Sequence, residues 1–457
     1  MLHSVADGMA HARQKMRLGA FFHPTGHHTA AWRHADAQAD AGINFEHYKE
    51  ITQLAERAKF DMVFLADNLS VREGRLEALC RSAVYIANIE PMVFICALAG
   101  VTSRIGLVST ASTSYHEPYH LARRFASLDH LSGGRAGWNI VTSSQDAEAN
   151  NFGRDRHWGH AERYERAHEF TRIVLGLWDS WDDDAFQRDK SSGIFFDPDK
   201  LHPLNHKGKF FSVKGPLNVP RSPQGYPVLI QAGVSDDART FASEFAEVVF
   251  TNHLSIEMAK PYYGQVKNRV CDFGRTPDDV KVMPGLIPLV GRTEAEAQEK
   301  FEQLNSLIDP VVAREYLSLL LKTDLIDVPL DGPLPDLTLP ENASWQFFNW
   351  VDLARRENLT VRQLALRAAV GRVNMVRGSP QQIADYMQHW FEQEACDGFN
   401  IMPPYLPGSF VDFTDLVVPE LQRRGLFRTE YEGRTLRDHL GLRRPDSRYD
   451  KRPLKSV

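Results

Sequence analysis

Apolar residues along the chain fall into two alternating patterns. Short, nearly continuous apolar runs occupy Arg17 to Phe22, Asp61 to Asp67, Ile105 to Ser109, Arg135 to Ser143, Val228 to Ala232, Val248 to Thr251, Val280 to Val290 and Gly398 to Met402. Their length and the turn residues around them predict buried strands. Between them the spacing turns helical, as in Glu46 to Lys59, where Tyr48, Ile51, Leu54, Ala55 and Ala58 share a face. Further helices are predicted over Pro91 to Gly100, Tyr119 to Leu131, about His160 to Trp181, from Asp236 onward, Ile256 to Cys271 and Gln381 to Glu394. The third begins after Glu117-Pro118, which suits the preference for proline in a first turn.

Strands that alternate with helices in this way imply a parallel sheet, and their number favours a closed (β/α)8 TIM barrel over a doubly wound sheet. Two stretches break the alternation. One, about 145–227, is polar and proline-rich after the long helix; the other, about 307–377, contains Pro310, a Pro- and Leu-rich segment and a helical piece, Val361 to Val370. Both are expected to be insertions. Residues 1–15 read as a polar leader and 446–457 as a polar tail, leaving 16–445 as one barrel domain.

Composition excludes more than it identifies. With 43% hydrophobic and 25% charged residues the chain is an ordinary globular one. A net charge of -6 without a long basic run gives no footprint for nucleic acid or an anionic membrane, so a small-molecule substrate is expected. Cys80, Cys96, Cys271 and Cys396 show no CxxC or zinc-type spacing, which points to a reducing cytoplasm. No apolar run approaches the ~18 residues of a membrane span, and no export signal opens the chain.

In a parallel barrel the reacting groups sit at the C-terminal ends of the strands and in the loops beyond them. Asp67 closes the second strand, where it serves either as a rim carboxylate or as a helix N-cap. Thr113, in STASTSYHEP, lies just past the third; Asn139 is an amide inside the fourth and needs a hydrogen-bond partner, either a neighbouring strand or a ligand. His160 and Tyr164 share one face at a helix start. Ser235 follows a strand and a glycine and opens a helix, the arrangement of a phosphate seat and equally of a plain serine N-cap. The first loop, HPTGHHTAAWRH, clusters His23, His27, His28 and His34 with Trp32. No companion ligand set accompanies them, so His27 and His28 are expected to contact substrate or move protons and no metal is expected. No GxGxxG, GxxxxGK[ST] or GxSxG motif is present.

FLAD at 64–67, STASTSYHEPYHLAR at 109–123, FASLDHLSGGRAGWNIVTS at 125–143, NFGRDRH at 151–157, KGPLNVPRSPQG at 214–225, QAGVS at 231–235, DGFNIMPPYLPGSF at 397–410 and VVPELQRRGLFRTEYEGRTLRDHLGL at 417–442 form an ordered set. Together they resemble the nitrilotriacetate and dibenzothiophene-sulfone monooxygenases of the bacterial-luciferase-like superfamily, over residues 16 to 445. The C-terminal half looks closer to the nitrilotriacetate branch.

The resemblance implies a luciferase-type barrel, a homodimer or homotetramer, that receives reduced FMN from a separate NAD(P)H-dependent flavin reductase. With O2 the reduced flavin forms a C4a-hydroperoxide that oxygenates a small substrate such as an aminopolycarboxylate or a sulfone. Carried over by position, the flavin contacts fall on Asp67, Thr113, His160, Tyr164 and Ser235, with Asn139 near the ring. His27, His28 and Trp32 then face the substrate, and Arg163 holds the flavin phosphate or an anionic substrate. Three rival readings are a metal-dependent hydrolase using the His-rich loop, a non-catalytic flavin-binding barrel, and a relative that uses deazaflavin.

Overall fold

The apolar runs form strands because both of their faces are covered, one by the barrel interior and one by helices. The computed structural model describes residues 15–337, 345–370 and 374–450. Its strands are β1 (Arg17–Phe22), β2 (Met62–Leu65), β3 (Gly106–Ser112), β4 (Ala136–Val141), β5 (Val228–Ala232), β6 (Val248–Thr251), β7 (Lys281–Val290) and β8 (Gly398–Ile401). Each pairs in parallel with its sequence neighbours, and β8 pairs with β1. The sheet therefore closes on itself as an eight-stranded parallel barrel, as expected. The short strand Met375–Gly378 extends the far end of β7.

Around the barrel run α1 (Phe45–Arg57), α2 (Pro91–Ala99), α3 (Pro118–Ser132), α4 (His160–Trp178), α5 (Asp236–Phe245), α6 (Ile256–Arg269) and α7 (Glu294–Ser306). They are followed by α8 (Pro310–Leu321), α9 (Trp345–Arg356), α10 (Val361–Val370), α11 (Pro380–Glu392) and α12 (Leu436–Leu440). Helix α7 was not expected, because its apolar face is thin, with Ala297 and Leu304 its only buried positions. The Thr293 side chain, accepting from Glu296 N–H, starts it. Pro310, expected to interrupt structure, instead opens α8: a proline at the first position loses no helical hydrogen bond, and Asp309 caps the turn.

Phe21, Met62, Phe64, Val108, Ile230 and Met283 fill the barrel interior. A larger apolar layer lies between strands and helices. Within it Arg135 is a clamp: its buried guanidinium donates to the carbonyls of Ala99, Thr102, Ile105 and Ser132, gathering the ends of three elements. The second interruption has its own core, in which Ala313, Leu317 and Leu321 of α8 pack with Leu364 and Ala368 of α10 and with Ala30 of the first loop.

The C-terminal segment seals the barrel's N-terminal end. Leu436, Leu440 and Leu442 join the interior cluster from below. Arg437 is buried and donates to both carboxylate oxygens of Glu247, while Glu247 accepts the Leu229 N–H that begins β5. Asp61, before β2, does the same for Leu18 N–H and pairs with Arg428. Acids at strand starts thus satisfy backbone donors that lack a ladder partner, and arginines from the chain's end neutralise them. The described part of the tail packs on the first insertion, where Tyr449 stacks on His202.

Arg437→Ala leaves Glu247 buried without its counter-charge and is expected to destabilise the fold by about 3–5 kcal/mol. Urea unfolding followed by circular dichroism checks this; a loss below about 1 kcal/mol contradicts it.

Candidate active site at the barrel mouth

The fourth strand ends in Thr142, Ser143 and Ser144, where the chain turns out of the barrel. Ser143 takes a left-handed backbone conformation, φ 52, unusual for a residue with a side chain. Its neighbours hold it there: its hydroxyl donates to Glu148 Oε1 at 3.0 Å and its carbonyl accepts from Arg163 Nη1 at 2.7 Å. Strain of this kind, about 1–3 kcal/mol, persists where surroundings fix it and gathers at functional sites.

Beyond this turn lies a cavity of about 250 Å³ of mixed lining, with Thr142, Ser143, Arg163, Tyr164 and Gln231 beside Ile140, Val141 and Phe241. Helix α4 supplies Arg163 and Tyr164, and the end of β5 supplies Gln231. The Tyr164 phenol reaches the hydroxyls of Ser235 and Thr142, and burial pushes its pKa up. Ser235 caps α5, accepting from Ala238 N–H at 3.2 Å. His160 is exposed, with its ring 5.0 Å from that of Tyr164 and its Nδ1 3.0 Å from Asp237. His160, Tyr164, Ser235 and Arg163 are therefore brought together at one edge of the mouth.

Gly233 sits between Gln231 and Ser235 with φ 155, and a Cβ there meets Ala238 Cβ at 2.7 Å. Only glycine fits. Three buried polar atoms nearby have no hydrogen-bond partner: Gln231 Oε1, Arg163 Nε and, inside the barrel, Asn139 Oδ1. Buried polar atoms left open in this way point to a polar ligand. The Asn139 amide nitrogen donates to Thr110 Oγ1 at 2.9 Å. The Thr113 hydroxyl and N–H both go to the Val141 carbonyl, which ties the third loop to β4.

A second cavity, of about 500 Å³, opens beside the first; Ser144 lines one and the next residue, Gln145, lines the other. Its walls come from the first loop (His23, His27, His28), the loop after β2, α8 and α10. His28 is fully engaged: Nδ1 accepts from Ala30 N–H at 3.2 Å, so Nε2 carries the proton and donates to Asn305 Oδ1 at 3.0 Å. Burial holds its pKa at about 4. His27 Nε2 donates to the Phe21 carbonyl at 2.9 Å, leaving Nδ1 as an acceptor; burial, with His23 alongside, keeps it neutral as well. Trp32 lies apart from both cavities, its indole N–H donated to the Arg81 carbonyl at 2.9 Å.

Of the expected flavin contacts only Tyr164 lines a cavity; Asp67, Thr113, Asn139, His160 and Ser235 line neither. Asp67 stands behind Tyr85, and burial, with Glu90 and Glu148 nearby, raises its pKa to about 6. The sequence reading named His23 only as part of the histidine cluster and did not single out Arg72, Tyr85 or Gln231. Tyr85 has φ 56, and its ring lies 5.2 Å from that of His23. Among the described residues no group of three or more His, Cys, Asp or Glu side chains is placed to hold a metal ion, and no helix is long and apolar enough to cross a membrane.

A parallel barrel with two cavities of different size side by side at its C-terminal rim is the layout of an enzyme that holds a cofactor and a substrate together. The luciferase-like monooxygenase family model matches residues 20–396, and the chain belongs to that family. It is 50% identical to the N-acetyl-S-(2-succino)cysteine monooxygenase of Bacillus subtilis (strain 168), over 97% of this chain and 100% of that one. It is 49% identical to nitrilotriacetate monooxygenase component A of Aminobacter aminovorans, over 95% and 98%. The solved structure of DmoA from Hyphomicrobium sulfonivorans superposes with a TM-score of 0.84 at 33% identity, over 93% of this chain and 92% of that one. The protein is thus an oxidoreductase of the flavin-dependent monooxygenase class, with the barrel of that family.

The raised pKa of Asp67 gives a pH signature. Unfolded, the carboxyl ionises near its ordinary 3.8; folded, it keeps its proton to about 6. Its unfavourable contribution is absent below pH 3.8, grows as pH rises and is complete above about 6. Asp67→Asn is therefore expected to raise the unfolding free energy at pH 7.5 by about 3 kcal/mol and to leave it unchanged at pH 3.5. Equal effects at both pH values, measured by urea unfolding, count against the assignment.

Proposed function

We propose that the chain is the oxygenase of a two-component system: it takes reduced FMN from a separate NAD(P)H:FMN reductase and uses O2 to oxygenate a small organic substrate. The observation that carries this reading is the pair of adjoining cavities, one of about 250 Å³ and one of about 500 Å³, lined by the consecutive residues Ser144 and Gln145. Ser235, Tyr164, His160 and Arg163 hold the FMN phosphate. Asn139, with its open carbonyl oxygen, faces the ring from inside the barrel, Gln231 lines the smaller cavity on the helix side of β5, and Thr113 and Asp67 fix the loops around them. The donor set fits: hydroxyls and a guanidinium suit a phosphate, and unsatisfied amide oxygens suit the N–H edge of an isoalloxazine. The reduced flavin, when bound, supplies the electrons that activate O2.

The protein's part is to bind, orient and keep water away. Neutral His27 and His28 contribute a lone pair and a fixed wall without placing a charge beside the reacting centre. Trp32 acts at one remove, by holding the Arg81 carbonyl and the loop behind the cavity. Two relatives carry the names of tricarboxylate substrates, a thioether and an amine, and a carboxylated thioether or amine is the class inferred for this chain. The four unpaired cysteines support a reducing cytoplasm. A homodimer or homotetramer is the inferred assembly.

Oxygen uptake in a mixture of the protein, a flavin reductase, NADH and FMN tests the reading. Substrate-dependent product formed only with O2 and FMN is expected; substrate loss without flavin overturns it. Tyr164→Phe combined with Ser235→Ala should weaken reduced-FMN binding about 10–100-fold in an anaerobic titration. The His27→Ala/His28→Ala double variant should bind FMN normally and form product at least about 10-fold more slowly; unchanged turnover removes both histidines from the mechanism.

A further inference from the structure

The wider cavity contains one guanidinium with no acceptor. Arg72, in the loop after β2, lines it, and among the described residues it makes no hydrogen bond or ion pair. Burial lowers its pKa, and the titratable group beside it is the Tyr85 phenol, which burial keeps neutral. The two acids of the same wall are not its partners: Glu315 Oε1 accepts from Arg75 N–H at 3.1 Å, and Glu73 is exposed. The three histidines add no positive charge, since burial holds His23 and His28 at about 4 and keeps His27 neutral.

A half-buried cation without a counter-ion is costly, and proteins retain one where a ligand neutralises it. Resting on the oxygenase reading above, we propose that Arg72 is the specificity-determining residue of this site and binds a carboxylate of the substrate. A planar guanidinium matches the two coplanar oxygens of a carboxylate. Tyr85, held in its strained conformation between Asp67 and Arg72, places its phenol beside the same group. The remaining wall, with Val84, Ile287, Leu319, Met375 and Met402, suits the aliphatic part that carries the sulfur or nitrogen to be oxidised.

The test uses the full-length protein, with N-acetyl-S-(2-succino)cysteine and its neutral trimethyl ester as matched probes and nitrilotriacetate as a second carboxylate. With reductase, NADH and FMN present, kcat/KM is expected to favour the carboxylate over the ester by about 100-fold or more. Arg72→Gln should abolish most of that preference through KM, and Arg72→Lys should restore part of it. A preference unchanged in Arg72→Gln overturns the proposal. Calorimetric binding of both tricarboxylates to the flavin-free protein runs in parallel, with thermal unfolding as a control for folding. Binding that falls about 100-fold in Arg72→Gln supports the assignment even without turnover, in which case the oxygenase reading alone fails. Binding unaffected by the substitution, or no binding of either tricarboxylate, overturns the Arg72 assignment.

Discussion

The hydrogen-bonded closure of the parallel ring, from β1 through β8 and back, is the constraint on which the other features depend. Closure in one direction sends every strand's C-terminal end to the same rim, so side chains distant in sequence converge there. The opposite end needs a seal, because strand starts expose backbone N–H groups. Glu247 and Asp61 meet those donors, and Arg437 and Arg428 from the last folded segment meet the acids. The ordered motif near the C-terminus is thus a structural one, a floor for the barrel. Asn139 and Gln231, towards the other end of their strands, each keep a buried amide oxygen without a partner.

The mouth divides its tasks by segment. The smaller cavity is built from β4, β5 and α4, elements of the barrel itself. The wider cavity is built from the first loop, the loop after β2 and the helices α8 and α10, which form a satellite core of their own. Thr29 donates to the Ala369 carbonyl of α10 and His28 to Asn305 at the end of α7, so the first loop is bound both to the insertion and to the helix before it. On the proposed reading, such a division separates the residues that hold the cofactor from those of the insertion that meet the substrate.

Much of this was legible because fully buried strands read as unbroken apolar runs and because the rim residues are of unusual type for their place. An amide inside β4 and a serine between a glycine and a helix both announce themselves. Helix α7 did not, its apolar stripe being too narrow, and Pro310 misled because a proline that starts a helix looks like one that ends it. Arg72 and Tyr85 were hidden for a different reason. The SVREGR segment reads as an exposed polar loop, and only the packing of α8 over it half-buries the guanidinium. The positive φ of Tyr85 and Ser143 has no signal in residue type, since neither is Gly or Asn. Trp32, singled out for its neighbours in the His-rich loop, faces a backbone carbonyl rather than the cavity.

The central claim is that one cofactor occupies the slot between β4, β5 and α4 with its phosphate at Ser235 and Tyr164. A diffraction structure of crystals soaked anaerobically with reduced FMN tests it most directly. The account predicts phosphate density within hydrogen-bond distance of Ser235 and Tyr164 and the ring edge against Asn139. Flavin density in the wider cavity beside Arg72, or at a surface away from the strand ends, contradicts it.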